Sequence, residues 1–224
     1  MEFTKAITER IVARQGRLHA YERIDPGTTA FIIIDLQNYF TQPGFKCECP
    51  ASRETFGAVN KLAKALRDAG GLVVWIRTCS DGADKFWSTL HDYLFTPERS
   101  AGRLQELSAS HRGFEIAEGL DMDPADLVVT KKVYSAFLQG SSDLHEQLQA
   151  RGISTVLIGG TATNICCEST ARDAMMLNYA TIMVDDTLSA MSVEEHDNTL
   201  KTWALYFGGV LTSDEVIERL SASE

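Results

Sequence analysis

A thiol, a carboxylate and an amine, at Cys166, Asp35 and Lys131, each stand just beyond an apolar run. Together they could generate a nucleophile and use it. Cys166 comes after Thr155-Val156-Leu157-Ile158 and the turn Gly159-Gly160, in the stretch Gly160-Thr161-Ala162-Thr163-Asn164-Ile165-Cys166-Cys167. Asn164 is a good N-cap residue, so a helix is expected to start at about Cys166. The unpaired N–H groups of a first helical turn act as roughly half a positive charge and lower a thiol's pKa. A reactive thiolate is therefore expected there. Cys167 falls with Ala171 and Ala174 at i, i+4 and i+7, a small-residue stripe suited to packing on a sheet. Cys166 points about a hundred degrees away, which assigns it to chemistry and Cys167 to the core. The plain alternative is that both cysteines are small buried hydrophobes.

Asp35 ends the run Ala30-Phe31-Ile32-Ile33-Ile34, and a carboxylate at the carboxyl end of a strand lies beside the crevice where α/β sheets bind ligands. As a turn cap it would serve structure alone. Lys131, with Lys132 beside it, interrupts the run after Leu127-Val128-Val129. Around these three groups, Asn38, Phe40, Arg77, Tyr134 and Phe137 are the candidates for substrate contact. Arg77 follows its strand and could pair with a substrate carboxylate, although an arginine there serves equally well in a structural ion pair. Aromatic residues at a strand rim more often pack than recognise. Cys47-Glu48-Cys49 hints at metal, but a zinc site needs about four ligands and the Cys-x-x-Cys spacing is absent.

The elements that must position these groups are legible in outline. Strands are expected at 30–34, 72–76, 127–129, 155–158, 181–184 and 210–211, all short apolar runs without polar alternation, as in strands buried on both faces. Helical spacing links them: Phe56 to Leu66 closed by Gly70, Asp143 to Arg151 closed by Gly152, a helix through Ala174, one from Ser192 and one from Asp214 to Leu220. Ser192 with Glu195 and Thr212 with Glu215 have capping-box spacing. This alternation predicts an α/β fold, a doubly wound, mostly parallel sheet of about six strands with helices on both faces. Right-handed crossovers put every strand's carboxyl end on one rim, where Asp35, Lys131 and Cys166 would gather. Residues 1–28 read as an N-terminal arm with Leu18, Tyr21 and Ile24 as anchors. Cys79 to Gly119 shows the least periodicity and is expected to form loops over the pocket, as is Thr41 to Ala51.

Composition narrows the classes of function. A chain of 224 residues suits a single domain, 1–224, with a sizeable interior. A net charge of −10 without a basic cluster argues against nucleic acid and anionic membranes as partners. No apolar run approaches a membrane span and no leader is evident, so a cytoplasmic location is expected. Five cysteines without framework spacing suggest reduced thiols rather than disulfides. The five histidines show no ligand spacing.

The chain resembles the isochorismatase-like cysteine hydrolases, the N-carbamoylsarcosine amidohydrolase-like family, from about Thr29 to Leu220. The resemblance is carried by Asp35-Leu36-Gln37-Asn38, by Lys131-Lys132-Val133-Tyr134-Ser135-Ala136-Phe137 and by Gly160 to Ala174. It implies a catalytic triad of Asp35, Lys131 and Cys166, choosing Lys131 over Lys132 because the lysine stands four residues before the serine of Ser-Ala-Phe. It also implies a non-proline cis peptide between Thr161 and Ala162, and an oxyanion hole from the N–H groups of Ala162 and Cys166. The implied reaction is cleavage of a C–N bond in a small linear amide or ureide through a thioester, releasing ammonia or an amine. Members of nicotinamidase type hold a metal through an aspartate and two histidines, whereas residues 41–90 here contain no histidine, so no metal and no other cofactor is expected. The N-terminal arm and the ending Leu205 to Glu215 look most like ureidoacrylate, N-carbamoyl and biuret-type hydrolases. The family resemblance also implies a homo-oligomer, often a tetramer. Rival readings are a thiol redox or stress protein using Cys47, Cys49 or the Cys166-Cys167 pair, and an isochorismatase-like hydrolase of another substrate class.

Overall fold

All six residues of β1, Thr29–Ile34, are buried. Alternate side chains serve two cores. Ala30, Ile32 and Ile34 pack in one cluster, and Phe31 and Ile33 in the other. A strand can be apolar throughout only when both faces of its sheet are covered. A computed structural model describes residues 3–221 of the chain. Met1 and Glu2, the tip of the expected arm, lie outside the described residues, as do 222–224.

The elements follow in the order α1 (Lys5–Gln15), β1, α2 (Asn38–Thr41), α3 (Phe56–Asp68), β2 (Leu72–Thr78), α4 (Ala83–Phe86), α5 (Pro97–Glu106), β3 (Leu127–Lys131), α6 (Leu144–Gln149), β4 (Thr155–Thr161), α7 (Glu168–Met176), β5 (Ala180–Ser189), α8 (Val193–Tyr206), β6 (Gly209–Leu211) and α9 (Ser213–Ser221). The strands form one sheet, every neighbouring pair parallel, in the order β3-β2-β1-β4-β5-β6. The expected doubly wound α/β fold is therefore present. One face packs on Leu144, Leu148, Ala171, Ala174, Leu200 and Trp203 from α6, α7 and α8. The other packs on Val59, Leu62, Leu66, Val216 and Leu220 from α3 and α9. Full burial of each such aliphatic chain contributes about 1.5–3 kcal/mol.

Strand order reverses between β1 and β4, and the crevice beyond the carboxyl ends at such a switch point is where this architecture binds ligands. β1 and β4 approach closely there. Gly160 sits opposite Ile34 with φ +113°, and a Cβ on it would lie 2.0 Å from the Ile34 carbonyl oxygen. Asp35, the next residue along β1's path, takes φ +56°, a left-handed conformation uncommon outside glycine.

Several elements differ from expectation. The strand read as Leu127–Val129 continues to Lys131, which pairs in register with Thr78 at the end of β2. The stretch from Cys79 to Gly119 is largely helical: α4, a π turn at Thr89–Leu94, α5 and a short 3-10 turn at Arg112–Phe114. Its start signal was present, for Pro97 occupies the first turn and the Thr96 hydroxyl caps the Arg99 N–H. The arm contains α1, which buries only Ile11. It is tied down by charge instead: Arg14 donates to the carbonyls of Leu205 and Tyr206 at 2.9 and 2.8 Å, at the C-terminal end of α8. Thr212 and Glu215 make a reciprocal capping box, with the Glu215 carboxylate accepting the Thr212 N–H at 2.8 Å. No helix among the described residues is long and apolar enough to cross a membrane.

Candidate active site

Four strands deliver the site. Asp35 leaves β1, Thr78 ends β2, Lys131 ends β3, and β4 runs into a π turn, Thr163–Cys167, that carries Cys166. Asp35 and Lys131 form an ion pair, Nζ to Oδ2 at 2.8 Å, with both side chains fully buried. The Thr78 hydroxyl bridges them, accepting from Lys131 Nζ at 2.5 Å and donating to Asp35 Oδ1 at 2.8 Å. The Val133 carbonyl takes a further bond from Nζ at 3.1 Å. The ammonium thus has two hydrogen-bond acceptors besides its ionic partner, which offsets the cost of burying the charge. Burial works against the Lys131 charge, but the Asp35 carboxylate and the Cys166 thiol outweigh it and raise the pKa.

The Cys166 thiol feels both charges of the buried pair, Lys131 and Asp35. Asp35 Oδ2, in its ionic contact with Lys131, has no donor aligned on it as a hydrogen bond. Burial pushes the thiol up to about 12. Lys131 opposes the shift, while the Asp35 charge and its hydrogen bond add to it. This reverses the expected lowering of the pKa. Two physical reasons account for it. Cys166 does not open the α-helix but belongs to the preceding π turn, and the loss of water around the sulfur outweighs any helix-end field. Asn164 is likewise inside that turn, with its Oδ1 buried and unpartnered, and the N-cap position belongs to Ala162.

The packing separates the two cysteines. Cys167 is wholly buried with Ala171 and Ala174, whereas Cys166 keeps 7% exposure at a cavity of about 180 Å³. The Ala162 carbonyl accepts the N–H groups of Ile165 and Cys167 at 3.1 and 3.2 Å, the intervening Cys166 N–H not among them. The Thr161–Ala162 peptide is cis. Behind the turn, His196 joins Thr163 Oγ1 at 2.9 Å and Asp185 Oδ1 at 2.8 Å, bracing the backbone that presents the sulfur. On α7, Thr170 accepts the Ala136 N–H at 3.2 Å and so links the cysteine helix to the segment after Lys131.

Phe40 and Tyr134 line the cavity, together with Cys47 and Cys49 from the 41–51 loop and Phe95, Arg99 and Arg103 from the 79–119 region. Asn38, Arg77 and Phe137 do not. Asn38 donates to the Arg112 carbonyl at 2.9 Å and holds a loop. Phe137 packs against Tyr179, ring centres 5.5 Å apart. Arg77 lies over the Phe114 ring at 4.3 Å, on the face of β2 opposite to Thr78. Strand alternation explains that displacement: Val74 and Ile76 share the face that holds Cys166, so by period two Thr78, not Arg77, turns toward the site. That parity was readable in the sequence and pointed to Thr78. Gln37 was the other residue missed. Wholly buried, it accepts the Thr78 N–H at 2.7 Å and donates to the carbonyls of Thr78 and Phe114, clamping the ends of β1 and β2 together. A larger cleft of about 420 Å³, lined by Glu54, Asp186, Ser192 and His196, contains none of Asp35, Lys131 and Cys166. Volume alone therefore misplaces the chemistry.

Comparison with known proteins accords with this fold. Residues 29–215 match the isochorismatase domain. The chain is 32% identical over 198 residues to the isochorismatase family protein YwoC of Bacillus subtilis, covering 88% of this chain and 96% of that protein. It is 31% identical over 208 residues to the ureidoacrylate amidohydrolase RutB of Caulobacter vibrioides, covering 85% and 90%. A crystal structure of a cysteine hydrolase from Pseudomonas syringae pv. phaseolicola superposes with a TM-score of 0.84 at 29% identity, covering 92% of this chain and 98% of that one.

Proposed function

Given that this chain belongs to the isochorismatase family of hydrolases, we propose that it is a cysteine-dependent amidohydrolase cleaving a C–N bond in a small linear amide or ureide. The observation that carries the reading is that Cys166 lines a small cavity while the charges of the fully buried Asp35–Lys131 ion pair act on its thiol. The similarity to a ureidoacrylate amidohydrolase supports the bond type.

The raised thiol pKa sets the order of events. At neutral pH the sulfur is protonated, so it must lose its proton as it attacks rather than beforehand. In this reading Asp35 takes that proton; its Oδ1 accepts from Thr78 and its Oδ2, in ionic contact with Lys131, has no hydrogen-bond donor aligned on it. Lys131, paired with the carboxylate, offsets negative charge on sulfur. Attack forms the S–C bond and moves charge to the carbonyl oxygen, which the N–H groups of Ala162 and Cys166 would stabilise; loss of one such donor in other enzymes costs about 10²- to 10³-fold. Asp35 then protonates the leaving nitrogen, the C–N bond breaks, and a thioester remains. Water, deprotonated by Asp35, attacks the thioester, releases the acid and restores the thiol. No step requires a metal.

Cys47, Cys49 and Cys166 share the cavity, which is the one observation in favour of a thiol redox role. An ammonia-release screen over ureido acids, biuret, maleamate and nicotinamide, with and without chelator, decides the matter. Turnover that survives chelation and vanishes in Cys166→Ala is expected. Full activity of Cys166→Ala would reject the nucleophile, and inactivation by chelator would reject the metal-free reaction.

A further inference from the structure

The cavity at Cys166 has a charge pattern that amide cleavage itself does not use. The chain carries a net charge of −10, yet the charged residues lining this cavity are Lys46, Arg99 and Arg103, with no Asp or Glu among the described lining residues. Arg99 and Arg103 stand four residues apart on α5 and so share one helical face. Arg103 is only 5% exposed, its Nε has no hydrogen-bond partner, and among the described residues no carboxylate lies within ion-pair distance of it. Glu106, further along the same helix, does not line the cavity, and its buried Oε2 is itself unpartnered. Arg99 is exposed at the mouth, 5.2 Å over Phe95 and 3.7 Å from Cys47 Sγ, and Lys46 Nζ donates to the Glu98 carbonyl at 3.3 Å.

A buried guanidinium with no counter-charge is costly, and the group that best satisfies its planar fork of donors is a carboxylate. Building on the amidohydrolase reading of Cys166, we infer that the substrate is an amido or ureido acid whose carboxylate, at the end remote from the scissile bond, is seated on Arg103, with Arg99 and Lys46 at the mouth. A neutral amide would leave Arg103 unpaired in a space from which its own bulk expels water. Arg77, stacked on the far face of the sheet, has no part in this recognition.

The test pairs each acid with its methyl ester: N-carbamoylglycine and maleamate against their esters, on the wild-type protein, Arg103→Met and Arg103→Lys. The expected kcat/KM for each acid exceeds that of its ester by about 30-fold, the scale of a hydrogen-bonded charged group. Arg103→Met should lower the acids far more than the esters, and Arg103→Lys should retain part of the preference. Equal turnover of acid and ester, or an equal loss on both in Arg103→Met, would overturn the inference while leaving the amidohydrolase reading intact. A readout without turnover separates the two: Cys166 labelling by iodoacetate and iodoacetamide, read by peptide mass spectrometry. The ratio should favour the anionic reagent relative to a free thiol and fall back in Arg103→Met; a ratio equal to that of the free thiol in the wild-type protein would overturn the inference even if no substrate in the panel reacts.

Discussion

Lys131 Nζ lies 2.8 Å from Asp35 Oδ2, and neither side chain touches solvent. The pair is held by Thr78 and by the Val133 carbonyl, so each charge depends on the other for its burial. Removing one partner leaves the other uncompensated, an effect of about 3–5 kcal/mol in buried pairs. Lys131→Met is expected to lower stability on that scale and to abolish turnover. Denaturant unfolding checks the first outcome and ammonia release the second. A stability change below about 1 kcal/mol would mean that Asp35 is not held as a buried carboxylate.

Thr78 hydrogen-bonds both Asp35 and Lys131, and in the proposed mechanism it would be a positioning residue acting through them. Thr78→Val keeps the shape but removes the bridge, and kcat should fall by about 10²-fold with little change in KM. Thr78→Ser, which keeps the hydroxyl, should recover most of the loss. Failure of serine to rescue would assign the defect to packing of the side-chain methyl instead.

The thiol at Cys166 links stability to pH. Its ordinary value is 9.0 and its folded value about 12, so between these the unfolded chain releases a proton that the folded chain keeps. The folded state then binds more protons, and stability must fall as pH rises through that window. Cys167 is shifted the same way by burial, so the comparison that isolates Cys166 is wild type against Cys166→Ala. The wild-type protein should lose more stability from pH 9 to 11 than the variant does, measured by urea unfolding. Parallel curves would show that the sulfur is not held protonated.

Gly160 marks the closest approach of β4 to β1. Gly160→Ala places a Cβ against the Ile34 carbonyl at a positive φ, and the two backbones that would have to separate are those carrying Asp35 and Cys166. A loss of at least about 3 kcal/mol is expected, or failure to fold. Gly57, with open space around it, is the control position, and alanine there should be tolerated. Thermal unfolding of both variants tests the contrast.

Residue order alone determined a good deal: the parallel α/β class, the six apolar runs, the packing of Cys167 with Ala171 and Ala174, and the placing of Asp35, Lys131 and Cys166 after separate strands. These features depend on periodicity and on which residues can be buried, properties local to a run. Tertiary structure decided the rest. The thiol's pKa follows from how much water the packed chain removes from the sulfur, a quantity that no helix-start signal contains. Arg77 and Thr78 are neighbours in sequence but lie on opposite faces of the sheet, so the pocket depended on the parity of β2. Gln37, Thr78 and Arg103 acquire their partners, or lack them, only when segments distant in sequence meet. The charge of the cavity is thus a property of the assembled walls, opposite in sign to the net charge of the chain.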